Sequence, residues 1–255
     1  MYRNDKHIRY SKDLWSECSA EDMPTLLNDE IHVWKANLTI SVSQRAFFWR
    51  FLSEDEQVKA KRFYFEKDRF NYIAGRGILR SLIGIYTQQK PNEIQFSYTE
   101  FGKPSLSNNT QLCFNVSHSG NTILLAFTQK NSIGVDIEKI NDTIDFQTIA
   151  KRFFSKKEAQ IVLNLPHKER TIAFYKCWTR KEAFIKGHGQ GLGLPLDQFE
   201  VSILDKKPVV LHSIQWAPET VKNWHLYSFE PDEENMAALI IKEKKKNLLF
   251  FEWRA

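Results

Sequence analysis

The sequence predicts an α+β fold, arranged as a pseudo-dimer of two similar α/β halves. Two long helices, predicted over residues 68–86 and 168–186, are each followed by a short apolar segment, a Lys-Pro pair and two further strands. The order and spacing match at an offset of about 100–110 residues, as in an internal repeat, although common elements can also match by coincidence. A ligand site is expected in the cleft between the halves, because small-molecule sites occur preferentially at such interfaces.

The composition is that of a globular protein with a mild basic surplus. The chain has 255 residues, of which 42% are hydrophobic, and can bury a core without needing a disulfide or a structural metal. Its net charge of +5 favours a phosphorylated ligand or an acidic partner but is too small to require nucleic acid. The three cysteines lack a CxxC spacing, which favours a reducing compartment. No apolar run has the length of a membrane span and the first 15 residues are polar, so we expect a cytoplasmic protein.

The first half is predicted to span residues 31–130, after a polar N-terminal extension over residues 1–30. Alternating apolar and polar residues predict a strand at its start, and Ser53 before three acidic residues predicts a helix N-cap. The predicted elements are a strand over 31–38, helices over 54–65 and 68–86, and strands over 94–98, 113–117 and 123–128.

The second half is predicted to span residues 131–255. Ser155 and Glu158 have the spacing of a capping box, and Gly187 ends the long helix. The predicted elements are a strand over 133–138, helices over 146–152, 156–165 and 168–186, and an antiparallel meander over 199–204, 209–211, 224–230, 237–243 and 248–253.

Two carboxylates stand out on the strand that opens the second half. Asp136 and Glu138 are two residues apart, so both face one side of the strand while Val135 and Ile137 face the other. Carboxylates on one face repel each other unless a cation lies between them, and oxygen ligands favour Mg²⁺ or Mn²⁺ over zinc. The alternative is an ordinary amphipathic strand with its polar side in water.

The long second helix carries a further charged pair near its end. Glu182 and Lys186 are one turn apart and share a face, and the helix runs into the glycine-rich segment 187–193. This segment follows a helix and matches neither GxGxxG nor a P-loop, so dinucleotide and P-loop sites are rejected. A surface ion pair of little energetic value is the alternative.

A third candidate is the segment 114–120, where a strand ends in small and polar residues. Ser117 and His118 are adjacent on the strand and point to opposite faces, which argues against a catalytic Ser–His pair. A loop that donates hydrogen bonds to phosphate oxygens fits better, against the alternative of a turn with a solvated histidine. Together with basic residues such as Lys59 and Lys103, these features point to a polyphosphate substrate with a divalent ion.

In this order, the motifs resemble those of the Sfp-type 4′-phosphopantetheinyl transferases. The motifs are Gly102-Lys103-Pro104, Phe114–Ser119, Gly134–Glu138 and Trp178–Lys186, and the resemblance covers about residues 50–215. It implies the fold of that family, with its active site in the cleft between the halves. It also implies transfer of the phosphopantetheine arm from coenzyme A to a serine of an acyl or peptidyl carrier protein, with release of adenosine 3′,5′-bisphosphate.

The resemblance also implies roles for individual residues. Asp136, Glu138 and Glu182 would hold Mg²⁺, with Mn²⁺ able to substitute. Glu182 would accept the serine proton, directly or through a metal-bound water, and Lys186 would neutralise charge on the pyrophosphate. In the coenzyme A site, the residues at the adenosine-side phosphates would be Lys59, Ser117 and His118, and those beside the adenine would be Gly102, Lys103 and Pro104. Asn115, from the Phe114–Ser119 motif, would also belong to this site.

Two other functions stay open on the sequence alone. A metal-dependent phosphohydrolase would use the same carboxylates with water as the attacking group, and a basic nucleic-acid-binding module would bind with steep salt dependence. We expect a monomer, because an internal pseudo-dimer removes the need for a real one, with no nucleic-acid and no membrane partner.

Overall fold

The computed structural model describes residues 7–18, 23–108, 111–204 and 208–254. The strands are β1 (Ser16–Cys18), β2 (Glu30–Asn37), β3 (Phe96–Tyr98), β4 (Pro104–Leu106), β5 (Leu112–Ser119), β6 (Thr122–Gln129), β7 (Ile133–Lys139), β8 (Phe199–Val201), β9 (Leu211–Ile214), β10 (Trp224–Phe229), β11 (Asn235–Lys242) and β12 (Asn247–Trp253). The helices are α1 (Val42–Trp49), α2 (Glu54–Lys61), α3 (Glu66–Thr87), α4 (Phe146–Phe153), α5 (Lys156–Leu163) and α6 (His167–His188).

The order of elements confirms an α+β molecule with two similar halves. In the first half α3 is followed by the β3-β4 hairpin and the antiparallel pair β5-β6. In the second half α6 is followed by the β8-β9 hairpin and the antiparallel pair β10-β11. The division of the chain at residues 30 and 130 stays a prediction.

The two halves contribute to two main sheets, and the last strand crosses from one to the other. The five-stranded sheet has the order β1-β12-β2-β6-β5, and the three-stranded sheet has the order β10-β11-β7. The predicted antiparallel meander is wrong for β12, which runs parallel to both β1 and β2 in the sheet of the first half. An alternating pattern specifies a strand and its faces but not its partner, and here stacking of Phe251 on Trp34, with ring centroids 4.8 Å apart, accompanies the unexpected pairing.

Each long helix covers the outer face of one sheet, and the inner faces pack on each other. Helix α3 buries its apolar stripe against Trp34 and Phe127 of the five-stranded sheet. Helix α6 buries Phe184 in a cluster with Ile240 of the three-stranded sheet. Between the sheets lies a third cluster, formed by alternate residues of β2, β6, β7, β11 and β12, such as Val33, Leu124, Val135, Leu239 and Leu248. The strands that carry the polar motifs, β5 and β7, meet at one edge of this sandwich.

The predicted N-terminal extension contacts both halves where the structure describes it. Ile8 bridges to Phe229 of β10, and β1 pairs with β12. The indole nitrogen of Trp15 donates to the carbonyl oxygen of Pro231 at 2.9 Å, and Leu26 is buried in the core of the first half. Residues 1–6 and 19–22 of this segment lie outside the described residues.

No helix in the described part of the chain has both the length and the apolar character needed to cross a bilayer.

Candidate active site

Strand β7 holds the two predicted carboxylates as its alternation requires. Val135 and Ile137 enter the core between the sheets, while Asp136 and Glu138 face the other way. Asp136 is only 3% exposed, so the alternative of an ordinary strand with its polar side in water is wrong for this residue. Its Oδ1 accepts a hydrogen bond from the Ser117 hydroxyl at 3.0 Å, and its buried Oδ2 has no hydrogen-bond partner among the described residues.

The last turns of α6 bring the other charged pair to the same place. The Lys186 ammonium donates to Asp136 Oδ1 and to the Ser117 hydroxyl, both at 2.7 Å. Glu182 lies one turn earlier on the same face and is half-buried. Helix α6 includes both residues because it ends only at Gly189. The φ of Gly189 is +90°, the left-handed conformation that favours glycine and terminates a helix. Helix α6 and the strands β5 and β7 therefore form one cluster, which consists of Glu182, Lys186, Asp136 and Ser117.

The electrostatics of the cluster indicate a place for positive charge. Burial, reinforced by the Asp136 carboxylate, raises the pKa of Glu182 to about 7, while Lys186 acts in the opposite direction. Burial and Asp136 also raise the pKa of Glu138, against hydrogen bonds from Ser119 and Trp178 that lower it. A shift of this kind means that the ionised carboxylates are disfavoured as they stand and would be stabilised by a nearby cation.

The chemistry of the donor set fits a hard divalent ion, although the carboxylates are not arranged around a common metal position. Three carboxylates are the ligands that Mg²⁺ prefers, and the unpartnered Oδ2 of Asp136 is a free oxygen donor within them. Among the residues described, no group of three or more His, Cys, Asp or Glu side chains is arranged to hold a metal as it stands.

Side chains from alternate positions of β5 join it to β7, in place of a backbone ladder. The amide N–H groups of Val135 and Lys139 each donate at 2.9 Å, to Asn115 Oδ1 and to the Ser119 hydroxyl. Between them the N–H of Ile137 donates to Ser117 at 3.4 Å. Ser119 also donates to Glu138 Oε2 at 3.1 Å. Asn115 and Ser117, both predicted at the coenzyme A site, thus lie in the contact between β5 and β7, the strand that bears Asp136 and Glu138.

The opposite face of β5 lines a cavity of about 900 Å³ that receives other predicted residues. His118 lies here together with Lys59 from α2, and Gly102 and Pro104 from the turn before β4. The pocket wall and the Lys186 ammonium lower the pKa of His118, so its ring is neutral at pH 7. The further lining residues are Leu38, Phe63, Lys67, Asp68, Asn71, Tyr72, Gly75, Arg76, Leu79, Val116, Ser119, Gly120 and Ile123. The lining includes the cationic side chains of Lys59, Lys67 and Arg76, which suits the cavity to phosphate groups.

A buried carboxylate orients one of these cations. Glu56, only 2% exposed, accepts hydrogen bonds from the guanidinium groups of Arg76 and Arg80. Arg80 also donates to the carbonyl oxygens of Pro91 and Ile94, at 2.8 and 2.9 Å. Glu56 therefore fixes the position of the Arg76 guanidinium at the cavity wall. The same guanidinium also donates to the Tyr98 hydroxyl at 3.4 Å.

The amine of Lys103 points away from the cavity, unlike its neighbours in the turn. Its Nζ donates to the carbonyl oxygen of Ile133 at 2.9 Å and to that of Gly187 at 3.3 Å. The turn itself borders the cavity through Gly102 and Pro104.

Several lining residues escaped the sequence analysis. Lys67, Asn71 and Tyr72 lie on α3 at helical spacing with Gly75 and Arg76, so they present one face to the cavity. A signal was available, because Tyr72 and Arg76 are four residues apart on the helix predicted over 68–86, as are Asn71 and Gly75, whereas Lys67 lies just before the predicted start of that helix. Ser119 belongs to the candidate segment 114–120, but its hydrogen bond to Glu138 could not be predicted, because Glu138 is on a different strand and no local pattern shows that pairing.

Comparison with known proteins gives one consistent result. The 4′-phosphopantetheinyl transferase superfamily matches residues 132–240, and the N-terminal region of a 4′-phosphopantetheinyl transferase family matches residues 34–130. The 4′-phosphopantetheinyl transferase HetI of Nostoc sp. is 36% identical over 220 residues, which is 85% of this chain and 90% of that protein. The 4′-phosphopantetheinyl transferase Sfp of Bacillus subtilis is 40% identical over 164 residues, which is 64% of this chain and 72% of that protein.

Proposed function

Because the chain belongs to the 4′-phosphopantetheinyl transferase superfamily and is such an enzyme, we propose that it takes the phosphopantetheine arm from coenzyme A. The acceptor is a serine hydroxyl of an acyl or peptidyl carrier protein, and the second product is adenosine 3′,5′-bisphosphate. One observation supports this most directly: the cation-lined cavity shares Ser119 with the carboxylate cluster, through its bond to Glu138. If the adenosine-side phosphates bind in the cavity, the pyrophosphate of the same ligand would thus reach Asp136, Glu182 and Lys186.

We assign Mg²⁺ to the three carboxylates of Asp136, Glu138 and Glu182. When bound, the ion supplies positive charge against the pyrophosphate oxygens, which is the usual contribution of a metal to phosphoryl transfer. The unpartnered Oδ2 of Asp136 and the raised pKa values of Glu138 and Glu182 support this assignment.

The chain's own residues account for the proton and the charge. In the transfer, the serine oxygen forms a bond to the phosphorus next to the pantetheine arm, and the bond from that phosphorus to the bridging oxygen breaks. The serine proton goes to the carboxylate of Glu182, which lies one turn before Lys186 on the same face of α6. Lys186 stabilises the negative charge that grows on the leaving group. On the cavity side, Lys59, Arg76 and His118 bind the adenosine-side phosphates.

The test is to incubate the protein with coenzyme A, Mg²⁺ and an apo carrier protein, and to weigh the carrier by intact-mass spectrometry. We expect a gain of one phosphopantetheine group, release of an equal amount of adenosine 3′,5′-bisphosphate, and loss of both on adding EDTA. A carrier whose acceptor serine is replaced by alanine is the matched control. Cleavage of coenzyme A without any carrier would instead identify a phosphohydrolase.

A further inference from the structure

Lys103 connects the cavity wall of one half to the catalytic elements of the other. Its backbone lies in the turn whose neighbours Gly102 and Pro104 line the cavity. Its amine donates to the carbonyl oxygens of Ile133, the first residue of β7, and of Gly187, in the last turn of α6. A single side chain therefore contacts both elements that carry the charged cluster.

The Gly187 carbonyl is a group that needs a partner of this kind. The last carbonyls of a helix have no partner within the helix and form the negative end of its dipole, so a cation is favoured there. The Gly187 carbonyl also accepts from the Ser132 hydroxyl at 2.5 Å, which leaves it fully bonded. The aliphatic part of the Lys103 side chain lies next to Gly189: a Cβ added at Gly189 would be 3.7 Å from Lys103 Cδ. Enclosure by these atoms lowers the pKa of Lys103 to about 8.

We propose that Lys103 is a positioning residue, which acts by fixing the end of α6 to the cavity turn and not by contacting coenzyme A. This inference rests on the proposed function for its catalytic consequence. Glu182 and Lys186 lie in the last two turns of α6, and Gly187 follows Lys186 directly. Loss of the anchor would leave the cavity with its own cations but would loosen the helix end that presents the reacting groups.

The consequence is a separation of binding from turnover. A misplacement of about 1 Å between bound substrate and catalytic groups can cost on the order of 100-fold in rate. Lys59, Arg76 and His118 are untouched by a change at Lys103, so the affinity for coenzyme A should be nearly preserved. A lysine that bound the ligand itself would give the opposite pattern.

The experiment compares Lys103→Met with Lys246→Met as its matched control. Lys246 is also a buried lysine whose amine donates to protein oxygens, Thr128 Oγ1 and the Gln129 carbonyl, both at 2.8 Å, but it contacts neither the cavity turn nor α6. For each variant we would measure the dissociation constant for coenzyme A, kcat with a carrier protein, and amide hydrogen exchange over residues 185–189.

For Lys103→Met we expect kcat to fall at least tenfold, the dissociation constant to change less than threefold, and exchange over residues 185–189 to accelerate at least tenfold. Lys246→Met should change none of the three, whatever it does to the melting temperature. Lys103→Gln, which keeps a shorter donor, should show the same pattern more weakly and serves if the methionine variant does not fold. A tenfold rise in the dissociation constant, or unchanged exchange, would overturn the proposal.

The exchange measurement needs no substrate, so the two proposals can fail separately. A wild-type protein that modifies no carrier would disprove the proposed function, while accelerated exchange in Lys103→Met would still establish the anchor.

Discussion

Asp136 is the residue on which most of the candidate active site depends. It accepts from Ser117 and Lys186 on one oxygen while the other lacks a partner among the described residues. Removing one member of a buried ion pair leaves the other charge uncompensated, which is usually more costly than removing both. The side chain therefore bears on stability as well as on chemistry.

We predict that Asp136→Asn abolishes metal-dependent transfer, with a loss of at least 100-fold, because it removes a ligand charge while keeping the shape. It should also destabilise the fold by about 1–3 kcal/mol, less than a fully buried pair because Lys186 is partly exposed. The double variant with Lys186→Met should regain part of that stability and none of the activity. Urea unfolding and steady-state rates measure both; equal stabilities of the single and double variants would contradict the pairing.

For Glu182→Gln we expect kcat to fall by about 10²–10⁴-fold, as is typical when a general acid–base group is removed. The variant keeps the size of the side chain and loses its charge. Glu169→Gln, an exposed change at the other end of α6, is the control and should leave kcat unaltered. A near-normal rate in Glu182→Gln would remove this carboxylate from the proton transfer.

At the scale of elements, a polar chain links β2 to α3 inside the first half. Trp34 Nε1 donates to the Tyr86 hydroxyl at 2.8 Å, and that hydroxyl lies 2.7 Å from His32 Nδ1. The partners assign the tautomer: Tyr86 donates to Nδ1, and Nε2–H faces Glu30 Oε2 at 3.4 Å. Protonating Nδ1 would break the bond from Tyr86.

This chain predicts a loss of stability in mild acid. Burial lowers the pKa of His32 below its ordinary 6.5, although Glu30 opposes the shift. The unfolded chain then binds a proton more readily than the folded one, so the stability is complete above pH 6.5 and declines as the pH falls below it. Free energies of unfolding at pH 7.5 and 5.5 should differ more in the wild type than in His32→Asn, which retains an acceptor near Nδ1 and does not titrate. Equal differences would exclude His32 as the cause.

The contact between β7 and α6 depends on glycine. A Cβ added at Gly134 would lie 2.1 Å from the Ala183 carbonyl oxygen and 2.2 Å from the Gly187 nitrogen, both backbone atoms that cannot move aside. We expect Gly134→Ala to cost about 3 kcal/mol or more, at or above the upper end for overpacking. Gly193→Ala, whose added carbon would meet only Phe101 at an ordinary 3.5 Å, is the control for urea denaturation. Similar midpoints for the two variants would contradict the close approach.

The elements with strong local signals could be predicted from the sequence. Helix α5 begins at the Ser155–Glu158 capping box that predicted it, and α6 ends near the glycine that was expected to stop it. Helix α1 was missed although Ser41 and Gln44 form a capping box, because the eight residues that follow carry no clear apolar stripe. The site residues could be named from motifs, but their contacts could not. Strand alternation places Ser117 with Asp136 and puts His118 in the cavity, so a shared phosphate contact for the two stays a prediction.

At the scale of the whole molecule, the first half is incomplete without the end of the chain. Strand β2 pairs with β6 on one side and with β12 on the other, and Leu248 and Phe250 of β12 are buried between the sheets. We therefore predict that a fragment of residues 1–130 does not fold cooperatively alone, because it lacks both β12 and the β7 strand that pairs with Asn115, Ser117 and Ser119. Thermal melts followed by circular dichroism would test this, with the intact chain as the reference; a sigmoidal transition in the fragment would contradict it.

The parallel pairing of β2 with β12 has a consequence for synthesis in the cell. About 210 residues separate the two strands, so β2 leaves the ribosome long before its partner exists. At about 5–20 residues per second the delay is on the order of 10–40 s. Throughout that interval the nascent chain carries an unpaired apolar edge that includes Val33 and Trp34, the kind of edge through which chains aggregate. The yield of native protein should therefore depend on the local concentration of nascent chains and on chaperones that bind them during synthesis.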